Sequence, residues 1–418
     1  MAEPDRPGEE GPAFPWGAVA ALGGLNVLSY VDRQMLVALA PLLIADLGLS
    51  RAQIGLLVGV SFIGVFALGT LVVGVLADRW SRPRLMAGGL AAWSAATALT
   101  GAATGFGTLA ACRALVGIGE ATLPPSALSM LGDRVPPRRV GFANGVFYAG
   151  IPLGFAVSFG LAGWIGPWLG WRACFLALGA MGLVAVGLVW RMTDPPRRGA
   201  SPREEASGLA ATARAFRGAF AARPALPLLI LGGTLLVYAS ASSQHTIIWL
   251  VEERGFAYPR AAFLSAALTA TAGLLGNLGV GALTDRARRR HSGANLVALG
   301  GLGALGLAAA ALFYHLPRAS AFFYPCWFLA QAWLLGWYGP LVAAIDDLAP
   351  PGRRAAFLGF ALLVVNVVGV SSGPYLTGLV GDRAGLTAGL TWSLLPAALG
   401  ALLVAAIGLA EMRRPPSS

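Results

Sequence analysis

Apolar residues along this chain gather into about twelve runs, each long enough to cross a hydrocarbon layer and each set off by a short polar segment. In the first half the runs lie at about 16–42, 52–77, 85–104, 108–131, 140–164 and 171–190. In the second they lie at about 226–250, 260–283, 294–315, 320–345, 355–380 and 388–410. A segment surrounded by lipid has no water to satisfy its N–H and C=O groups, so each run is expected to be a helix that closes its own hydrogen bonds. The pattern predicts an all-α polytopic membrane protein of twelve transmembrane helices. Within the fifth run, YAGIPLG from Tyr148 to Gly154 places small residues at 150 and 154 for close helix approach, and Pro152 removes a backbone donor, so a bend is expected.

The polar segments divide these helices into two sets. Residues 191–225 carry seven arginines, Glu204, Glu205 and the pair Pro195 and Pro196, and read as a linker between a bundle at 16–190 and another at 226–410. Inside it, Leu209, Phe216 and Phe220 with Arg214, Arg217 and Arg223 fit an amphipathic helix on the membrane surface; a disordered link is the alternative. Residues 1–15 and 411–418 are left as tails. The first is acidic and proline-rich and is expected to be disordered, and the run after it is too long, and too polar at its far end, for a cleaved signal peptide.

The second run ends on GVLADRWSRPR, Gly74 to Arg84, and the second run of the other half ends on GALTDRARRR, Gly281 to Arg290. A shared Gly-x-Leu-x-Asp-Arg core at equivalent places predicts two pseudo-symmetric six-helix bundles. A substrate site is then expected at the midplane between them, among the first, fourth, seventh and tenth spans.

Charge inside the runs narrows the search. AACRALVGIGEATLPP, Ala110 to Pro125, puts Arg113 and Glu120 in the fourth run. Seven residues are nearly two helical turns, so both side chains share one face about 10 Å apart along the axis. Ionisable groups in a membrane helix are costly and usually face a bundle interior or a wet path; the alternative is a structural ion pair between helices. The first run supplies partners in NVLSYVDRQML, with Asp32 and Arg33. Asp32 lies about 24 Å along its helix and Arg113 about 8 Å in from the other end of its own, so both sit at nearly one depth. Asp32 is thus expected to pair with Arg113, leaving Glu120 as the free titrating group.

Composition agrees with this picture, since 56% of residues are apolar and 12% charged. The net charge of +11 does not point to nucleic acid: the basic residues are all arginine, with 22 in alternate loops, 6 on the opposite side and 2 in the membrane. This bias sets the crowded side, and both termini, in the cytoplasm. Cys112, Cys174 and Cys326 have neither metal nor disulfide spacing and read as core residues. Three scattered histidines make no metal site, although His245 is placed to face a cavity. GLGALG, Gly301 to Gly306, fits a dinucleotide fingerprint by its letters, but it lies inside a membrane helix and follows no strand. No cofactor is expected, and no nucleophile–base set points to an enzyme.

GxLADRxSRxR, carried here by Gly74, Asp78, Arg79, Arg82 and Arg84, resembles the most specific signature of the major facilitator superfamily of transporters. Arg113, Gly117 and Gly119 resemble its Arg-x-x-x-Gly-x-Gly pattern, with Val116 where the family often has glutamine. YVDRQML, GIGEA and YAGIPLG together resemble the Spinster branch, and the chain looks like a bacterial Spinster homologue. The resemblance implies transport of an amphipathic lysolipid- or sphingolipid-like substrate by alternating access. It places Asp32, Arg33, Arg113 and Glu120 on functional polar positions, with Glu120 in proton coupling.

From these readings follow the candidate sites. Asp32, Arg113 and Glu120 are expected to couple protons. Arg33 and Arg113 are expected to meet an anionic headgroup, with Phe147, Tyr148, Tyr238, His245, Trp249 and Trp337 around the substrate. Gly74 would permit close packing, and Asp78, Arg79, Arg82, Arg84, Asp285 and Arg286 would brace a gate. The expected partners are an amphipathic lipid-like substrate, protons and the bilayer, for a monomer in a bacterial inner membrane. A drug or small organic-anion transporter of the same fold and a non-transporting lipid sensor are the competing functions.

Overall fold

The computed structural model describes residues 14–197, 209–291, 293–350 and 353–413. The expected disorder of the first tail therefore falls, for residues 1–13, outside the described residues, as do 198–208 of the linker and 414–418 of the second tail.

Among the described residues, nine helices are each long and apolar enough to cross a membrane, and Trp16–Ala38 with Ala40–Leu47, bent by 49°, makes a tenth span. One of the nine, Pro137–Trp190, is two passes. Before Gly170 its glycines follow the first span in the same direction, Gly154 against Tyr30 and Gly166 against Leu39 and Leu42. After Gly170 the chain runs back along the third span, Gly179 against Ala98 and Gly182 against Ser94. Gly170 makes the reversal with φ of 74°, a conformation that glycine adopts without a Cβ penalty. The third span itself is Arg82–Thr100, apolar after its arginine-bearing first turn. The described residues thus hold twelve transmembrane helices in two six-helix halves.

Several spans are broken where the sequence lacks backbone donors or places small residues. The fourth is Phe106–Glu120 followed by Leu123–Arg134, the second part opening on Pro124 and Pro125. The fifth breaks at Ala149, three residues before Pro152. The seventh changes pitch in the 3-10 turn Ser243–His245, and the second and eleventh each contain a six-residue π-helical stretch, Gly59–Gly64 and Val365–Val370. Such bulges inside helices recur at functional sites.

The two halves meet where the second span crosses the eleventh and the fifth crosses the eighth. At the first crossing a Cβ on Gly59 would lie 2.0 Å from the Ser371 carbonyl oxygen, so only glycine allows this approach. Side-chain bonds between halves cluster at one end of the molecule. Arg51 donates to Glu252 at 2.7 Å and to the Gly381 carbonyl at 3.0 Å, and its backbone N–H donates to Asp382 at 2.9 Å. Nearby, the Tyr258 hydroxyl donates to the Ala38 carbonyl at 3.0 Å. At the opposite end the ion pairs Arg82–Asp133 and Arg288–Asp347 each lie within one half, and Arg82 also holds Asp194 at the start of the linker. Among the described residues, the bonds that join the two halves thus form a seal at the Arg51 face.

In the linker, Leu209–Ala222 is helical. Its Phe216 ring stacks on Phe357 at 4.1 Å and meets Phe360 at 5.1 Å, while Arg214, Arg217 and Arg223 are exposed.

Candidate transport site

Four charged side chains from the first and fourth spans meet inside the first half. Arg113 Nη1 lies 3.3 Å from Asp32 Oδ1, and Thr97 of the third span donates to Asp32 Oδ2. Arg33 Nε donates to Glu120 Oε2 at 2.5 Å, and the Ser29 hydroxyl donates to the same oxygen at 2.8 Å. Local helix geometry explains the pairing. Ser29 and Arg33 are four residues apart and share a face, which meets Glu120; Asp32, one residue from Arg33, is turned about 100° away toward Arg113 and Thr97. The spans run antiparallel, so the pairs stack along the bundle rather than compete.

The expected Asp32–Arg113 pair is present. Glu120, expected to be free, is instead ion-paired, because Arg33 points at it rather than into open space. The cluster holds two positive and two negative groups and is formally neutral. Asp32, Arg113 and Glu120 are all at most 2% exposed. Burying such charges is tolerable only when they are paired, and removing one member of a buried pair typically costs about 3–5 kcal/mol. Pairing is still incomplete: Glu120 Oε1 and Arg113 Nε are buried with no hydrogen-bond partner among the described residues.

Phe62 completes the arrangement. It sits on the π-helical stretch of the second span, with the Arg113 guanidinium 4.5 Å and the Arg33 guanidinium 5.3 Å from its ring centre. Phe66, one turn on, lies 4.2 Å from Arg33. The ring faces hold the cations by their quadrupoles where water is scarce. Gly117 lets the fourth span approach here, since a Cβ would meet the Phe62 carbonyl oxygen at 2.9 Å. Neither phenylalanine was among the expected site residues. The only signal was two phenylalanines spaced by four residues in a run otherwise read as scaffold.

The expected aromatic walls divide. Tyr148 is half exposed, and the Tyr238 hydroxyl hydrogen-bonds with Ser372 at 2.7 Å. Tyr338 of the tenth span, missed in the sequence, lies near Asn366, Tyr30 and Tyr148. The other four are corrected. Trp249 packs fully buried against Phe313 and Tyr314 and donates to Thr387 at 2.8 Å, because the 3-10 turn swings the end of the seventh span toward the ninth. Trp337 is buried with its indole N–H on Ser240 at 2.8 Å. Phe147 is buried where the fifth span packs on the first, its carbonyl accepting from Asn26 at 2.7 Å. His245 Nε2 lies 3.0 Å from the Arg51 carbonyl oxygen and belongs to the seal.

At the Arg82 face the bracing residue is Arg82. It pairs with Asp133, reaches Asp194 at 2.8 Å and donates to Ser129 at 2.9 Å. Asp78 stands in the last turn of the second span, but its side chain lies outside the described residues. Arg79, Arg84, Asp285 and Arg286 are exposed, and the second-half pair is Arg288–Asp347 rather than one built on Asp285 and Arg286. Gly74 has open space where a Cβ would stand, so it makes no close contact in this state. The partners Asp133 and Asp347 open matching stretches, DRVPP and DLAPP, a second repeat signal that was legible in the sequence.

The Major Facilitator Superfamily model matches residues 22–374. An MFS-type efflux pump of Mycolicibacterium smegmatis is 30% identical over 97% of this chain and 92% of its own length. Human protein spinster homolog 1 is 28% identical, over 91% of this chain and 77% of that protein. In fold, the chain is similar to a bacterial homologue of the human lysosomal transporter Spinster, in an inward-facing and unoccupied conformation. The TM-score is 0.85 at 22% identity, covering 98% of this chain and all of that one. The likeness to Spinster proteins read from YVDRQML, GIGEA and YAGIPLG is thus met among both the relatives and the solved structures. The chain belongs to the Major Facilitator Superfamily.

Proposed function

We propose that this protein is a proton-coupled secondary transporter that moves an amphipathic, lysolipid-like anion across a bacterial inner membrane by alternating access. The observation that carries the reading is the neutral four-charge cluster, in which Glu120 spends both its hydrogen bonds on Oε2 and leaves Oε1 buried and unpartnered. A proton placed on Oε1 neutralises Glu120 and releases Arg33, whose guanidinium then meets an anionic headgroup. Departure of the substrate returns Arg33 to Glu120 and expels the proton. Asp32 and Arg113, locked together with Thr97, hold the fourth span in place while this exchange occurs. The arginine bias supports a cytoplasmic Arg82 face and cytoplasmic termini, which makes the sealed Arg51 face the outer one. One chain supplies both halves of the cavity, and the transporting unit is taken as a monomer.

Uptake of 1-palmitoyl lysophosphatidylglycerol into proteoliposomes tests the reading. An imposed proton gradient should change its flux several-fold, and long-chain alcohols should compete poorly. Flux indifferent to the gradient, or competition by alcohols equal to that by lysolipids, would overturn it. Export of a drug or small organic anion is the second reading, supported by the efflux-pump relative; it is favoured if such anions move and lysolipids do not. Binding without any flux would favour a lipid sensor.

A further inference from the structure

Between the halves, directly beneath the seal, lies a small chamber lined by Phe155 of the fifth span, Gln244 of the seventh, Ser265 and Thr269 of the eighth, and Trp327 and Gln331 of the tenth. No charged side chain lines it. Ser243 and Thr246 also line it, and its hydrogen-bonding capacity is only partly spent: Ser243 donates to the Ser240 carbonyl at 2.6 Å and Gln331 to Thr269 at 3.2 Å, but the Gln331 carbonyl oxygen, the Gln244 amide and the Ser265 hydroxyl have no side-chain partner among the described residues. Unlike Glu120 Oε1, none of these atoms is fully buried. Polar groups that gather in an apolar bundle and keep free valences are costly unless water or a ligand satisfies them.

We propose that this chamber is a specificity subsite for an uncharged, hydroxyl-bearing end of the transported molecule, with Gln331 and Gln244 as its principal contacts. The inference rests on the transporter reading and adds to it. Charge decides the class of group: an ion entering here would lose its hydration and find no counter-ion, whereas a hydroxyl both donates and accepts, as a lining of amides and hydroxyls requires. Size decides how much enters. The cavity of about 30 Å³ matches the volume of one water molecule, so it takes the tip of a ligand, one hydroxymethyl group, while the rest lies toward the Arg33 cluster. Trp327 and Phe155 close the apolar sides. Gln244 also adjoins His245, whose ring is bonded to the Arg51 carbonyl, so a group seated here touches the turn that carries the seal.

The test uses two pairs of probes, each matched in charge and framework and differing in hydroxyls. One pair is 1-palmitoyl lysophosphatidylglycerol and 1-palmitoyl lysophosphatidylpropanol; the other is 3,4,5-trihydroxybenzoate and benzoate. Binding to the purified full-length protein is measured for wild type, Gln331→Leu, Gln244→Leu and Ser265→Ala. The expected result is a preference of about tenfold for the hydroxylated member in at least one pair, falling to within about twofold in the glutamine variants. Retained binding of the hydroxyl-free member shows that a variant is folded, and Ser265→Ala, the mildest change, decides if a leucine variant fails that control. No hydroxyl preference in wild type, or a preference unchanged by the substitutions, overturns the subsite. Binding, with that preference, of the benzoates alone sinks the lysolipid reading and leaves the chamber standing; binding of none of the four sinks both.

Discussion

Asp32 and Glu120 are both buried carboxylates facing arginines, yet their surroundings give them different work. Asp32 receives Arg113 on one oxygen and Thr97 on the other, so both are engaged. Glu120 receives two donors on one oxygen and none on the other. Removing Arg113 strands Asp32 with a hydroxyl as its only partner. Arg113→Ala should therefore cost stability on the order of 3–5 kcal/mol, whereas Arg113→Ala combined with Asp32→Asn recovers much of it, because no unpaired charge remains. Thermal unfolding in detergent measures this; equal losses in the single and double variants would show that packing, rather than charge, is what Arg113 supplies. The identities of all four charged residues were legible in the sequence, because ions in an apolar run stand out. Which acid each arginine takes was only half legible. Depth along the helices selects Asp32 for Arg113, but the direction in which Arg33 points depends on a rotation that depth does not contain.

At the scale of elements, two π-helical stretches do what an ideal helix would not. The one at Gly59–Gly64 turns Phe62 between two guanidiniums while bringing Gly59 against the eleventh span, whose own stretch at Val365–Val370 lies at the same crossing. Gly59→Ala puts a methyl group 2.0 Å from a carbonyl oxygen that belongs to backbone and does not move aside. The expected outcome is a loosened crossing and a rise of several-fold in labelling of single cysteines lining the cavity by a membrane-impermeant reagent applied at the Arg51 face. Gly74→Ala, in open space in this state, should leave that labelling unchanged. Labelling that is equal in the two variants would contradict the role given to this crossing. Apolar runs announced the twelve spans, but the bulges and the breaks after Glu120 and at Ala149 have no hydrophobic period of their own. For the same reason Trp249 and Trp337 were misplaced: a 3-10 turn redirects one, and a polar partner across the bundle holds the other.

For the whole molecule, the two halves are joined at one face by Arg51, Glu252, Gly381 and Asp382, while the Arg82 network ties the third and fourth spans of the first half to the start of the linker. Arg51→Ala removes the bonds that the Arg51 guanidinium makes to Glu252 and Gly381 in the seal and should shift the population toward opening at that face, seen as longer distances between spin labels on opposite halves there. Distances unchanged from wild type would place the seal elsewhere. Coupling this rocking to protons is the central claim, and Glu120→Gln is its most direct probe, since the amide matches the shape of the protonated acid but does not titrate. Proteoliposome uptake of 1-palmitoyl lysophosphatidylglycerol under an imposed proton gradient, measured beside equilibrium binding, gives the decision. The account predicts that Glu120→Gln binds the probe within a few-fold of wild type and loses gradient-driven accumulation; accumulation equal to wild type would contradict it.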